Sequence, residues 1–275
     1  EDSADRAGAS AGAARRKKGS DGSDGIRLLP PAERKLASAA RVVIVFTDVY
    51  GFDSARHKRF ADDLASAIGD DAVVIVPDLF RENPILQPWF PEYLPAWFGT
   101  KLLGGLPMLY RLKFYFDEAQ VIEREIKGTV LPWLEGVAVG PHRSLSCVGF
   151  CYGGWVVGRT LALLPGRFRC GVGIHPSFNV ALAHGSTEAD VAEGVGDTPL
   201  LLLPAGNDSE SIKPGGDACQ ILAKARGVRD EDVSLPFEGM THGWVSRGDT
   251  RDKGVAKEQA RALEVAAQFL RKHTA

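Results

Sequence analysis

From residue 41 to residue 272 the apolar positions follow two rhythms in turn. The run RVVIVFTD (41–48) is short, β-branched and nearly all apolar, as a strand covered on both faces requires. AVVIVPDLF (72–80), SLSCVGF (144–150), CGVGIHP (170–176), PLLLLPAG (199–206) and VSLPF (233–237) repeat it. Between these runs apolar residues recur every three or four positions. Phe60, Leu64 and Ala67/Ile68 mark a helix after the first strand, with Asp53 or Ser54 as its cap. The same spacing predicts helices over 117–131, 153–164, 216–225 and 253–272, the last carrying Leu263, Ala266, Ala267 and Leu270. Strand and helix in alternation predict an α/β domain, a mostly parallel central sheet with helices on both faces.

Two stretches fall outside this rhythm. Residues 1–25 are rich in Gly, Ala, Ser and balanced charge, with no apolar period, and read as a flexible lead to a domain over 26–275. The RRKK run in it is either a targeting signal or a solvated linker. The chain opens on Glu1 rather than Met, so an upstream segment is expected to have been removed or left out. Residues 81–116 hold five prolines and many aromatics. A connection of that length reads as a lid or binding loop, the alternative being an apolar insertion that only packs on the surface.

Composition narrows the function. At 275 residues and 44% hydrophobic the chain can bury one sizeable core. Lys plus Arg total 33 against 35 Asp plus Glu, a formal charge of −2 with no long run of one sign, so no nucleic-acid partner is expected and a small molecule is. Four cysteines, Cys147, Cys151, Cys170 and Cys219, are too few and too scattered for a disulfide framework. Cys147 and Cys151 form CxxxC rather than a zinc spacing, so no metal is expected. Reduced thiols point to an intracellular, cytoplasmic setting, with an organelle as the alternative for a processed chain. No run reaches the roughly 18 consecutive apolar residues of a membrane span, and no secretory signal is evident, so a soluble protein with no membrane partner is expected. Monomer and homodimer both stay open.

The candidate chemistry centres on Cys151. A nucleophile on a strand-to-helix turn takes a strained backbone and needs small neighbours two residues to either side. Gly149-Phe150-Cys151-Tyr152-Gly153 meets that need, an apolar strand ends at Phe150, and the following helix N-terminus would favour a thiolate. A cysteine is often simply buried, and Cys147, Cys170 and Cys219 read that way. On this architecture the acid and then the histidine follow the nucleophile in chain order. Asp208 in GNDSESIKP follows the fifth apolar run, and His242 in GMTHGW follows the sixth. His242 would move the proton and Asp208 would hold the imidazole. Asp208 has a turn-forming alternative and a rival in Asp217. His57, His142 and His184 sit off the expected edge, His273 is in the tail, and His175 in GIHPS is a candidate neighbour of the site.

DVYGF after the first strand, VVIVPDLFR, GFCYGG, GND and HGWVSRGD closely resemble the dienelactone hydrolase family of α/β-hydrolases, over roughly residues 41–272. The resemblance implies an α/β-hydrolase fold with Cys151, Asp208 and His242 as the triad and the backbone N–H groups of Val49 and Tyr152 as the oxyanion hole. It gives Asp48, a methylene shorter than the glutamate often found there, the task of binding the thiol before substrate arrives; capping the following turn is the alternative. Arg81 and Arg247 stand where the family clamps a substrate carboxylate, or else form surface ion pairs. The expected activity is ester or lactone hydrolysis through a thioester, on a small molecule with or without a carboxylate, and without a cofactor. The alternatives are a ligand-binding or regulatory module without turnover and a cysteine-dependent thioesterase or amidase.

Overall fold

Five parallel strands, in the order β4-β3-β5-β6-β7, make the sheet on which every candidate residue depends. They are β3 (Arg41–Phe46), β4 (Ala72–Ile75), β5 (Ser144–Phe150), β6 (Cys170–Ile174) and β7 (Leu200–Leu203). The computed structural model describes residues 15–18, 24–27, 38–81, 84–86, 113, 117–137 and 144–274. Within the span read as a flexible lead, β1 (Arg15–Lys18) and β2 (Asp24–Arg27) pair as an antiparallel hairpin in a sheet of their own. The lid reading of 81–116 falls almost wholly outside the described residues.

Period-two alternation sorts each strand between two cores. Val42, Ile44 and Phe46 face one side, while Val43 and Val45 face the other. The first side is covered by a π-helix (Ala119–Val130) running into α2 (Leu131–Val137), then by α3 (Tyr152–Leu163), α4 (Glu188–Val195) and α5 (Asp217–Arg226). The second is covered by α1 (His57–Ile68), the short α6 (Trp244–Arg247) and α7 (Lys253–His273). Parallel strands buried on both faces explain the nearly unbroken apolar runs.

Two details depart from the sequence reading. The sixth run forms no continuous strand, because Pro204 lacks the amide that would bond Leu235 O between the Leu235 N–Leu202 O and Phe237 N–Pro204 O bonds. Pairing survives only at Leu202 with Ser234 and at Ala205 with Phe237. The first helix starts after Arg56 without a side-chain cap. Asp53 instead pairs with Lys58, at 2.8 Å, and Ser54 donates to the Gly51 carbonyl, at 3.0 Å, within a turn that delays the helix. Asp252 does cap α7, accepting from Gly254 N at 2.7 Å.

Candidate active site

Cys151 sits at the junction of β5 and α3 with φ 53° and ψ −115°, a backbone that side-chain-bearing residues rarely adopt and that costs on the order of 1–3 kcal/mol. The surroundings enforce it. A Cβ on Gly149 would overlap the Gly153 carbonyl, and one on Gly153 would overlap the Phe46 and Thr47 carbonyls at the end of β3. The first turn of α3 thus lies against β5, which requires Gly149, and against the end of β3, which requires Gly153, and this brings the head of α3, Tyr152, next to the segment that leads to Val49. Val49 and Tyr152 are both buried.

The acid leaves β7 and the histidine leaves the interrupted sixth run, so both arrive at the same sheet edge as Cys151. Asp208 divides its oxygens. Oδ2 accepts from Ala205 N at 2.7 Å, anchoring the side chain, and Oδ1 lies 2.5 Å from His242 Nδ1. Asn207 Oδ1 accepts from His242 N at 2.6 Å, and Lys213 Nζ donates to the Gly206 carbonyl at 2.7 Å, which steadies the acid loop. The rival Asp217 heads α5 instead.

With Nδ1 on Asp208, His242 also interacts with the Cys151 thiol. Burial would push the Cys151 thiol up, yet the hydrogen bond and charge of His242 outweigh it and bring the pKa below the ordinary 9.0. Asp48 opposes this and a bond from Ser177 assists it. Burial alone would depress the His242 pKa, but hydrogen bonds with Asp208 and Cys151 raise it to about 10. Each partner thus favours the charged form of the other. The other cysteines behave oppositely, because burial raises Cys147 well above 9.0 and Cys170 and Cys219 to about 12. All four are free thiols.

Asp48 is fully buried and fully occupied. Its Oδ1 accepts from Tyr50 N at 3.0 Å and from Ser54 Oγ at 3.4 Å. Arg247 holds Oδ2, and His57 Nε2 lies 3.3 Å from the same oxygen. Turn cap and charge neighbour are thus one residue. Burial would raise its pKa, but His57, Arg247 and the Tyr50 amide together hold it below the ordinary carboxylate range. Arg247 also lies over the Tyr50 ring, 4.6 Å from its centre. Arg81, with φ 51°, turns to Glu125 at 2.8 Å, and Arg124 contacts the same carboxylate oxygen at 3.0 Å.

His175 packs edge-on to His242, ring centres 4.8 Å apart, and also meets Trp244 at 5.4 Å. Burial first, then the charges of His242 and Arg247, drive its pKa well below 6.5, so it stays neutral beneath the imidazolium. His57, Ser177, Asn207 and Lys213 belong to this neighbourhood although the sequence reading did not select them. The only available signal was the position of Ser177 and Asn207 in loops that follow strands. Among the described residues no group of three or more His, Cys, Asp or Glu side chains is arranged to hold a metal ion.

Comparison with known proteins agrees with this architecture. The chain is 27% identical over 220 residues to a carboxymethylenebutenolidase homolog from Rattus norvegicus, covering 78% of this chain and 74% of the relative. It is 25% identical over 218 residues to the Mus musculus homolog, with the same coverage of 78% and 74%. Among solved structures, m3DLH aligns with a TM-score of 0.54 at 15% identity, covering 86% of this chain and 88% of that one. A dienelactone hydrolase-like promiscuous phosphotriesterase from metagenomic libraries aligns with a TM-score of 0.50 at 15% identity, covering 86% and 87%. These two likenesses establish the shared fold. The model of the dienelactone hydrolase family matches residues 31–274, and the chain therefore belongs to that family and is an ester or lactone hydrolase.

Proposed function

We propose that the protein cleaves a small-molecule ester or lactone through a thioester on Cys151, with His242 and Asp208 completing a triad. The observation that carries this reading is the line of contacts from Asp208 Oδ1 to His242 Nδ1, 2.5 Å, and from His242 to a thiol whose pKa is lowered. The sulfur attacks the carbonyl carbon, and the amides of Val49 and Tyr152 receive the oxyanion. On collapse the C–O bond breaks and the imidazolium gives its proton to the departing oxygen. Water then attacks the thioester, His242 takes a proton from it, and the C–S bond breaks to release the acid and restore the resting pair.

A chromogenic short-chain ester tests the reading. Wild-type protein is expected to turn it over and to lose activity with iodoacetamide, and Cys151→Ala is expected to be inactive. Undiminished turnover by Cys151→Ala would remove the nucleophile assignment.

A further inference from the structure

A thiolate on Cys151 needs a partner other than Asp48. The resemblance assigns that carboxylate to the thiol, but its oxygens are already taken by Tyr50 N, Ser54 Oγ, Arg247 and His57. Tyr50 N, Ser54 Oγ and Arg247 donate to it, so both oxygens are engaged within the chain. The charge of Asp48 disfavours the thiolate. The hydroxyl of Ser177, by contrast, lies 3.4 Å from Cys151 Sγ, within donor range of sulfur.

Ser177 is held there by backbone bonds from both sides of the elbow. Ser177 N donates to the Cys151 carbonyl at 2.9 Å, and Cys151 N donates to the Ile174 carbonyl at 3.2 Å. His175 N donates to the Leu203 carbonyl at 2.9 Å, and Val180 N donates to the Ser177 carbonyl at 3.1 Å, so the loop is fixed on each side of the serine. Pro176, packed where Gly154 leaves no room for a Cβ, stiffens it further. A serine so tied has a defined place for its oxygen, and toward a thiolate its hydroxyl can act only as donor.

We infer that Ser177 is the group that holds the Cys151 sulfur in its charged form, by donating to it, whereas the family resemblance gives Asp48 a different task, accepting from the neutral thiol; this rests on Cys151 being the nucleophile. The titratable and charged groups around the sulfur are His242 from the loop before α6 and Asp48 from the end of β3, with His175, Arg247 and His57 beyond them. Ser177 adds a neutral donor to this set. It stabilises the thiolate without adding charge beside the imidazolium. Once the sulfur is acylated it is a poor acceptor and the bond lapses. It re-forms as the C–S bond breaks and the sulfur regains its charge, so the bond belongs to the states in which the sulfur is free.

The test follows iodoacetamide alkylation of the thiol against pH, with Cys151→Ala protein as the blank for the other cysteines. Ser177→Ala is expected to move the alkylation midpoint up by about one pH unit, roughly a tenfold loss of thiolate at a fixed pH below it. The acid limb of kcat/KM should move with it. Ser177→Thr and Ser177→Val share one shape and differ in the hydroxyl, so Thr should keep the wild-type midpoint and Val should shift as Ala does. Equal midpoints for Thr and Val, or a Ser177→Ala midpoint that does not move, would overturn the assignment. Turnover that survives in Cys151→Ala would instead overturn the nucleophile, a separate result.

Discussion

Asp208 Oδ1 lies 2.5 Å from His242 Nδ1, while the other oxygen of the same carboxylate is tied to Ala205 N at 2.7 Å. One oxygen fixes the side chain and the other fixes the ring. Asp208→Asn keeps the shape and can keep the bond to the loop, but presents an amide to Nδ1 and removes the charge that supports the imidazolium. The expected loss in kcat is about 10³–10⁴-fold with KM little changed. A loss under tenfold would show that Asp208 does not orient the base.

The activity should follow a bell-shaped pH profile. The thiol is lowered, so the acid limb should lie below the ordinary thiol value of 9.0, where Cys151 becomes a thiolate. The imidazole is raised, so it stays protonated until the pH approaches about 10, and the alkaline limb should fall there as the leaving group loses its proton donor. An acid limb at or above pH 9.0 would contradict the ion pair.

Both candidate substrate-clamping arginines are engaged internally, Arg81 with Glu125 at 2.8 Å and Arg247 with Asp48. A carboxylate-bearing ester is therefore expected to show no lower KM than a neutral ester of the same size. A tenfold preference for the carboxylate would mean that one of these forks opens to substrate.

The elbow has no tolerance for bulk. Gly149→Ala would drive a methyl group into the Gly153 carbonyl, a backbone atom with no side chain to yield. Urea unfolding should register a loss of about 3 kcal/mol or more. A variant as stable as wild type would show that the β5–α3 junction relaxes more freely than its packing suggests.

Much of this was legible in the sequence, and the reasons are particular. β5 was delimited correctly because an apolar run meets a glycine-flanked cysteine with no proline inside it. Asp208 and His242 could be selected because each follows an apolar run that ends at the same sheet edge. His57 could not. Its position in a polar helix start reads as surface, and only the packing of α1 beside the 48–54 turn brings its ring to a buried carboxylate. The Arg247 contact with Asp48 spans 199 positions and has no local signature. Ser177 lies in an irregular loop whose shape depends on bonds to Cys151. The sixth strand was misjudged because its apolar pattern is sound, and Pro204 acts through a missing ladder donor rather than through hydrophobicity.

A proline of the sixth run also shapes how the molecule meets its own copies. The sixth run bonds β7 through residues 233, 235 and 237, so Pro236 between them faces outward and leaves that margin without an amide on which a foreign strand could template. The flank that delivers the histidine is thereby poorly suited to fibril growth or to merging two sheets into one, and a concentrated solution of this protein should resist association by that route.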